Sequence, residues 1–150
     1  EYCNIAWALE KTTVLNSLFV CQKKVIQIIT HSSWRAHTEP LFQKLNILSL
    51  YNINDLQLAC FVYQCINNQL PCYFNNMFKL NADVHVHNTR HKTDLHSDIR
   101  TLSVRACTVR FAGVKLWNSL TKSVDLECIT NVRQFKQHYK HWLLKYNINL

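Results

Sequence analysis

The sequence predicts a mainly α-helical chain, and three observations lead there. Glycine occurs once and proline twice in 150 residues, so the residues that turn β-rich folds are nearly absent. Apolar residues recur at helical spacing in long segments near both ends. Hydrophobic residues make up 48% of the chain and charged residues 17%, a balance that builds a core and does not leave a disordered polymer. A chain of this length can bury one sizeable core. The expected organisation is a helical region over residues 1–79. A basic region over 80–150 follows, with a loop at 80–100, a short strand or helix, and a C-terminal helix at 129–146.

The first helix is expected over residues 12–31. Val14, Leu18, Cys21, Val25 and Ile28 recur along it as one apolar stripe. Thr12 or Thr13 can cap its start. Its middle carries Gln22, Lys23 and Lys24. These fit either an ordinary wet face or a basic face that lies along something negative. Residues 32–37 read as a link. Thr38 is an expected N-cap, with Pro40 in the first turn of a short helix to about Leu45. Asn52 or Asn54 should start the next helix, with Ile53, Leu56, Ala59, Cys60, Tyr63 and Ile66 on its apolar face and Pro71 ending it. The aromatic stretch "PCYFNNMFK" suggests one more turn packed on the core.

Residues 80–100 lack helical period, hold four of the eight histidines, and read as an exposed loop. "IRTLSVRACTVRF" alternates in part, as a strand or hairpin edge does. A short helix is expected around Trp117. In the last helix Val132, Phe135, Tyr139, Trp142 and Tyr146 form the stripe, Thr130 is the expected cap, and Lys136, Lys140 and Lys145 lie off the stripe.

Seven cysteines, an odd number with no C-x-x-C pair, read as reduced thiols, several of them on apolar stretches as small core residues, of an intracellular protein, cytoplasmic or nuclear. No apolar run is long enough to span a membrane. The N-terminus lacks the pattern of a signal peptide. The chain opens on Glu1 and not on Met, which fits a piece of something longer, and "EYCNIAWALE" is expected to pack on residues outside it. The net charge is +8. Residues 1–84 hold six Lys/Arg against five Asp/Glu, and residues 85–150 hold eleven against four. That asymmetry points to a polyanionic partner or to a solvated basic surface.

Much chemistry is excluded. One glycine cannot build a phosphate-cradling loop, and no paired carboxylates stand ready for Mg²⁺. No catalytic residue, cofactor or small-molecule substrate is expected. His85 and His87 on a strand could join Cys72 around Zn²⁺, but the spacing matches no closed zinc pattern. The plainer reading is a His-rich polar loop, and no metal is expected. A Cys–His catalytic pair has no third partner to orient it. Arg90, Arg100, Arg105, Arg110 and Lys115 run through the irregular region and lead to Phe111 and Trp117. Arginines can grip phosphates; the two rings read as core.

The pieces in order are "EYCNIAWA", "LFVCQKKVIQIITHSSWRAHTEPLFQKLNILSLYNINDLQ", "QLPCYFNNMF", "HVHNTRH", "VKLWNSL" and "VRQFKQHYKHWLLKY". Together they span nearly the whole chain. In this order and spacing they resemble the C-terminal end of the reverse transcriptase of LINE-type (non-LTR) retrotransposons, of the Jockey-like group. The resemblance implies a helical thumb-like module, following an absent palm that carries the catalytic aspartates, and a C-terminal tail. It is thus similar to part of an RNA-directed DNA polymerase without being catalytic alone. It implies contact with RNA or an RNA/DNA hybrid, with Lys23, Lys24, Arg90, Arg100, Arg105 and Arg110 on the phosphates, or bracing of the palm. Two departures stand out: Gln27 where the family usually has Arg, and Thr121 where it usually has Pro after "WNSL". Losing that Arg should weaken phosphate binding. Two alternatives stay open. One is a protein-interaction module docking through the Trp142 and Tyr146 stripe. The other is a repeat-derived reading frame without function.

Overall fold

A computed structural model describes residues 5, 12–85, 87, 90–97, 108–124, 126 and 129–146. Among them are six helices and no strand: α1 (Thr12–Ile29), α2 (Glu39–Lys44), α3 (Leu50–Ile66), α4 (Asn81–Val84), α5 (Val109–Ser123) and α6 (Val132–Tyr146). A 3₁₀ turn at Cys72–Phe74 stands between α3 and α4.

The mainly helical expectation holds, and α3 is its centre. Leu56, Leu58, Ala59, Val62, Tyr63 and Cys65 are all buried, and they point to more than one side of the helix. A helix that is apolar nearly all round must be enclosed. α5 and α6 pack along α3, and α1 packs on it as well. Tyr63 stacks on Phe135 of α6 with ring centroids 4.6 Å apart. Trp117 of α5 closes on both, at 6.4 Å from Tyr63 and 5.9 Å from Phe135. Gly113 brings α5 in. A Cβ there would meet Val62 Cγ2 at 2.9 Å and the Phe78 ring at 3.1 Å, so the lone glycine sits at a close contact that a side chain would crowd. The core draws on Leu48 to Phe78 and on Leu95 to Leu143 alike. Residues on both sides of position 80 therefore share it.

Helix ends differ from the expected ones in instructive ways. Ser49, not Asn52 or Asn54, caps α3. Its extended backbone lets Oγ accept from the Asn52 N–H at 3.2 Å. Thr38 precedes α2 with a helical backbone and makes no side-chain cap. Its carbonyl accepts from Leu41 and Phe42, and its side chain is buried. Asn131, not Thr130, caps α6, accepting from the Gln134 N–H at 2.9 Å, while Gln134 Oε1 reaches back to the Thr130 N–H and hydroxyl. α5 begins at Val109, with Thr108 as its cap. The end of the expected strand is therefore helix, and its residues 99–107 lie outside the described residues.

Three helices stop without glycine or proline. His31, Asn46 and Asn68 take positive φ of 51°, 56° and 53° after α1, α2 and α3. Each ends its helix with a pair of reversed bonds. After α3 these are Asn68 N–H to Cys65 O and Gln69 N–H to Gln64 O, the Schellman pattern. Pro71 therefore follows the end of α3 and does not cause it.

The stripe expected to seat α1 faces outward. Leu18 is 46% exposed, Val25 52% and Ile28 72%, and Cys21 is exposed too. The face turned inward carries Leu15 and Ile26, both buried, with Phe19 and Gln22. Phe19 meets Tyr51 edge-on at 5.1 Å and Phe42 at 6.3 Å. Both faces of α1 are apolar, and among the described residues only the inward one is covered.

At Asn46, replacement by Gly is expected to leave stability unchanged or raise it by less than about 1 kcal/mol. Asn46→Val should lower it by about 1–2 kcal/mol, because a branched side chain is forced into the left-handed region. Thermal unfolding of the three chains side by side checks this. A valine variant as stable as the parent would contradict it.

Candidate nucleic-acid interface

The Gln-Lys-Lys triplet divides its work. Gln22 is not wet. Its Nε2 donates to Leu48 O at 3.0 Å, and its Oε1 accepts from the Leu50 N–H at 2.8 Å. It therefore clamps the link between α2 and α3. Lys23 is half-buried, with Nζ 4.4 Å from the centre of the Phe19 ring. Lys24 is exposed.

One turn on, Gln27 makes a second clamp. Its Nε2 donates to Trp34 O and Ala36 O, each at 3.1 Å. The link is tightened further by Ala36 N–H to Ser33 O at 2.9 Å and by the Thr30 and Ser32 hydroxyls at 2.9 Å. Residue 27 therefore faces the link. On this pinned turn Trp34 stands 77% exposed. The Arg35 guanidinium lies over it, 4.7 Å from the ring centre. Sequence reasoning passed over this pair as part of a link. The signal was a tryptophan next to an arginine in an otherwise polar stretch.

The remaining expected cations are scattered. Arg90 is exposed in the turn at 90–94, and Arg110 is exposed in the first turn of α5. Arg100 and Arg105 lie outside the described residues. Lys23 and Lys24 ride on α1, which packs chiefly on α2 and α3, whereas α5 packs chiefly on α3. Trp117 is buried in the core, as expected; Phe111, expected there too, is only half-buried and is not among the residues packed against it.

The His-rich segment is folded back on itself. Asn81 N–H donates to Asp94 O at 2.9 Å, His96 N–H donates to Lys79 O at 2.7 Å, and Leu80 bridges Leu95. Asn118 of the "WNSL" stretch locks it down. Its Oδ1 accepts from the Leu95 N–H at 2.8 Å, and its Nδ2 donates to Leu95 O at 2.9 Å. The Leu95 side chain is thereby held in the core. His85 and His96 meet ring to ring at 5.1 Å, and His91 Nδ1 lies 2.9 Å from Asp94 Oδ2. No three His, Cys, Asp or Glu side chains converge among the described residues.

The perturbed groups sit on α3 and α6. Burial pushes the Cys60 and Cys65 thiols up to about 11, against a small opposing pull from Lys136 on Cys60. Neither is a thiolate nucleophile near neutral pH. Burial, then the nearby Asp55 and Cys60, pushes the Tyr139 hydroxyl up as well. Burial also raises the Asp55 carboxyl from 3.8 to about 6. Trp142 is half-buried against the core and stacks on Tyr139 at 5.9 Å. Of the protein-facing patch expected there, Trp142 is thus half-buried, and the Tyr146 side chain lies outside the described residues.

A cavity of about 430 Å³ opens between α1, α2, the start of α3 and the end of α6, with Phe19, Phe42, Ile47, Tyr51 and Leu143 in its walls. No described helix is long and apolar enough to cross a membrane. No protein-family model, curated protein or solved structure matches the chain.

Two outcomes follow. Asn118→Ala strips Leu95 of both backbone partners. It should cost about 1–3 kcal/mol and speed tryptic cutting at the exposed Arg90 and Lys92; unchanged cutting would show that the clamp does not hold the loop. Asp55 binds its proton more tightly folded than unfolded, so its ionisation destabilises the fold as pH rises through about 4 to 6. Asp55→Asn should therefore raise Tm relative to the parent above about pH 7, with the gain shrinking as pH falls toward 4. A gain independent of pH would remove Asp55 as the cause.

Proposed function

We propose that this chain is the thumb and post-palm tail of a LINE-type reverse transcriptase, and that it grips RNA or an RNA/DNA hybrid without catalysing the reaction itself. Six sequence motifs in family order support the identity. The observation that carries the grip is the Trp34–Arg35 pair, exposed on a turn that Gln27 pins beside a basic helix. An exposed indole offers a stacking surface to any base. A guanidinium already lying on that ring keeps donors for a phosphate. Lys24 adds charge one helical turn before Gln27. Lys23 contributes less, since its ammonium is engaged with Phe19.

A second reading, bracing of the absent palm, is favoured by a different observation. The apolar stripe of α1 is exposed at Leu18, Val25 and Ile28 and offers a face for a protein partner beside the Trp142 and Tyr146 stripe.

A fluorescent RNA/DNA hybrid titrated at low and moderate salt tests the grip. Binding should fall steeply with salt. Trp34→Ala should weaken it by the worth of one stacked base, about 1–3 kcal/mol. Lys23→Glu with Lys24→Glu should reduce affinity and flatten the salt dependence, by about one unit of slope per lost phosphate contact. A folded chain that binds no hybrid at low salt would leave the bracing reading standing.

A further inference from the structure

We propose that the outward stripe of α1 is a docking seam for an acidic amphipathic helix from another polypeptide. Leu18, Cys21, Val25 and Ile28 follow one another at steps of 3, 4 and 3 residues. That is the heptad spacing by which one helix packs along another, and it selects a helix over an extended peptide, whose side chains repeat every second residue. Ile29, 56% exposed, widens the stripe on one side.

The opposite side of α1 is already occupied. Leu15 and Ile26 are buried, Phe19 meets Phe42 and Tyr51, and Gln22 and Gln27 hold the neighbouring links. A helix apolar on two faces is at rest only when both are covered. Scattered exposed apolar residues need no explanation; a continuous row does.

Charge decides the partner. α1 contains no acidic residue, and its two charges are Lys23 and Lys24. Lys24 lies on the flank of the stripe, at the position that faces charged residues across a coiled-coil seam. Two copies of α1 would bring lysines together with no carboxylate between them, in a chain of net charge +8. A membrane-bound helix would carry a Lys/Arg-rich polar face beside its apolar one; the face opposite this stripe is packed into the fold. Glutamates or aspartates flanking the apolar row of a partner helix complete the seam. This proposal does not rest on the nucleic-acid grip.

The test uses the purified chain and two synthetic helical peptides with Leu at the seam positions, one flanked by Glu and one by Lys. Fluorescence anisotropy should show the Glu peptide binding about tenfold or more tightly than the Lys peptide. Leu18→Gln with Val25→Gln should weaken it by about tenfold or more. Both positions are exposed, so circular dichroism should be unchanged, and hybrid binding should be kept. Lys24→Glu should shift the preference toward the Lys peptide. Equal binding of the two peptides, or a glutamine variant that binds as the parent does, overturns the proposal. So does sedimentation of the parent as a dimer that the glutamine variant dissolves, which makes a second copy the occupant. Stripe-dependent binding to anionic phospholipid vesicles overturns it in favour of a membrane surface.

Discussion

Tyr63 against Phe135 is the contact on which the other elements hang. The two rings lie 4.6 Å apart in stacked geometry, Trp117 leans on both, and Tyr139 continues the row along α6 at 6.0 Å from Phe135. Three helices thus meet at one aromatic junction. Aromatic pairs add roughly 0.5–1.5 kcal/mol each beyond the area they bury, so the row also supplies orientation that aliphatic packing alone would not. The Tyr63 hydroxyl donates to Ile129 O at 3.2 Å, fixing where the chain turns into α6. Gly113 matters for the same reason. At Gly113, one turn before Trp117, α5 presses on Val62 of α3 and on the Phe78 ring where a side chain would collide.

With so little glycine and proline, the chain turns by other means. Side-chain amides replace them. Gln22, Gln27 and Asn118 each make two hydrogen bonds to the backbone of a link. Two asparagines and a histidine take the left-handed positions that glycine usually fills. An amide carries a donor and an acceptor in one plane, so it can pair with a backbone N–H and C=O much as a neighbouring strand does. The result is a helical protein whose links are held by the helices. An exposed Trp34 on such a link loses little further conformational freedom when something stacks on it, which is the advantage of presenting a contact residue from a fixed turn.

This division explains what could be read from the residues alone. α1, α3 and α6 were legible because long helices repeat their apolar side chains at a period that short-range composition cannot mimic. Their ends were less so. Several Ser, Thr and Asn residues precede each helix, any of them can cap, and the choice falls to the backbone angle that packing imposes on one of them. Ser49, with its extended backbone, caps α3 in place of Asn52, and Asn131 takes the place of Thr130 at α6. The face of α1 was misread for a different reason. Two apolar stripes lie on it, and periodicity counts both equally, whereas Phe19 finds aromatic partners and Gln22 finds a backbone to clamp. The scattered cations behaved as composition allows. Arg90 and Arg110 are exposed, but nothing in their spacing could say that they stand on elements separate from Lys23 and Lys24. The Trp34–Arg35 pair was invisible to period because it sits where there is none.

Lys24 is the residue at which the two readings of α1 compete. It borders the exposed apolar stripe, and it lies one helical turn before Gln27, which holds the link that presents Trp34. A phosphate and a partner carboxylate are both anions, and a flexible ammonium can meet either one, but it cannot serve both fully at once. Binding on one face should then weaken binding on the other, by the coupling that any shared contact imposes. Trp34 and Arg35 face no such conflict, because Gln27 holds their turn by its backbone and leaves their side chains outside the stripe. On these proposals the grip depends more on the link than on the lysine pair, while the seam takes its strength from Leu18 and Val25 and its choice of partner from Lys24.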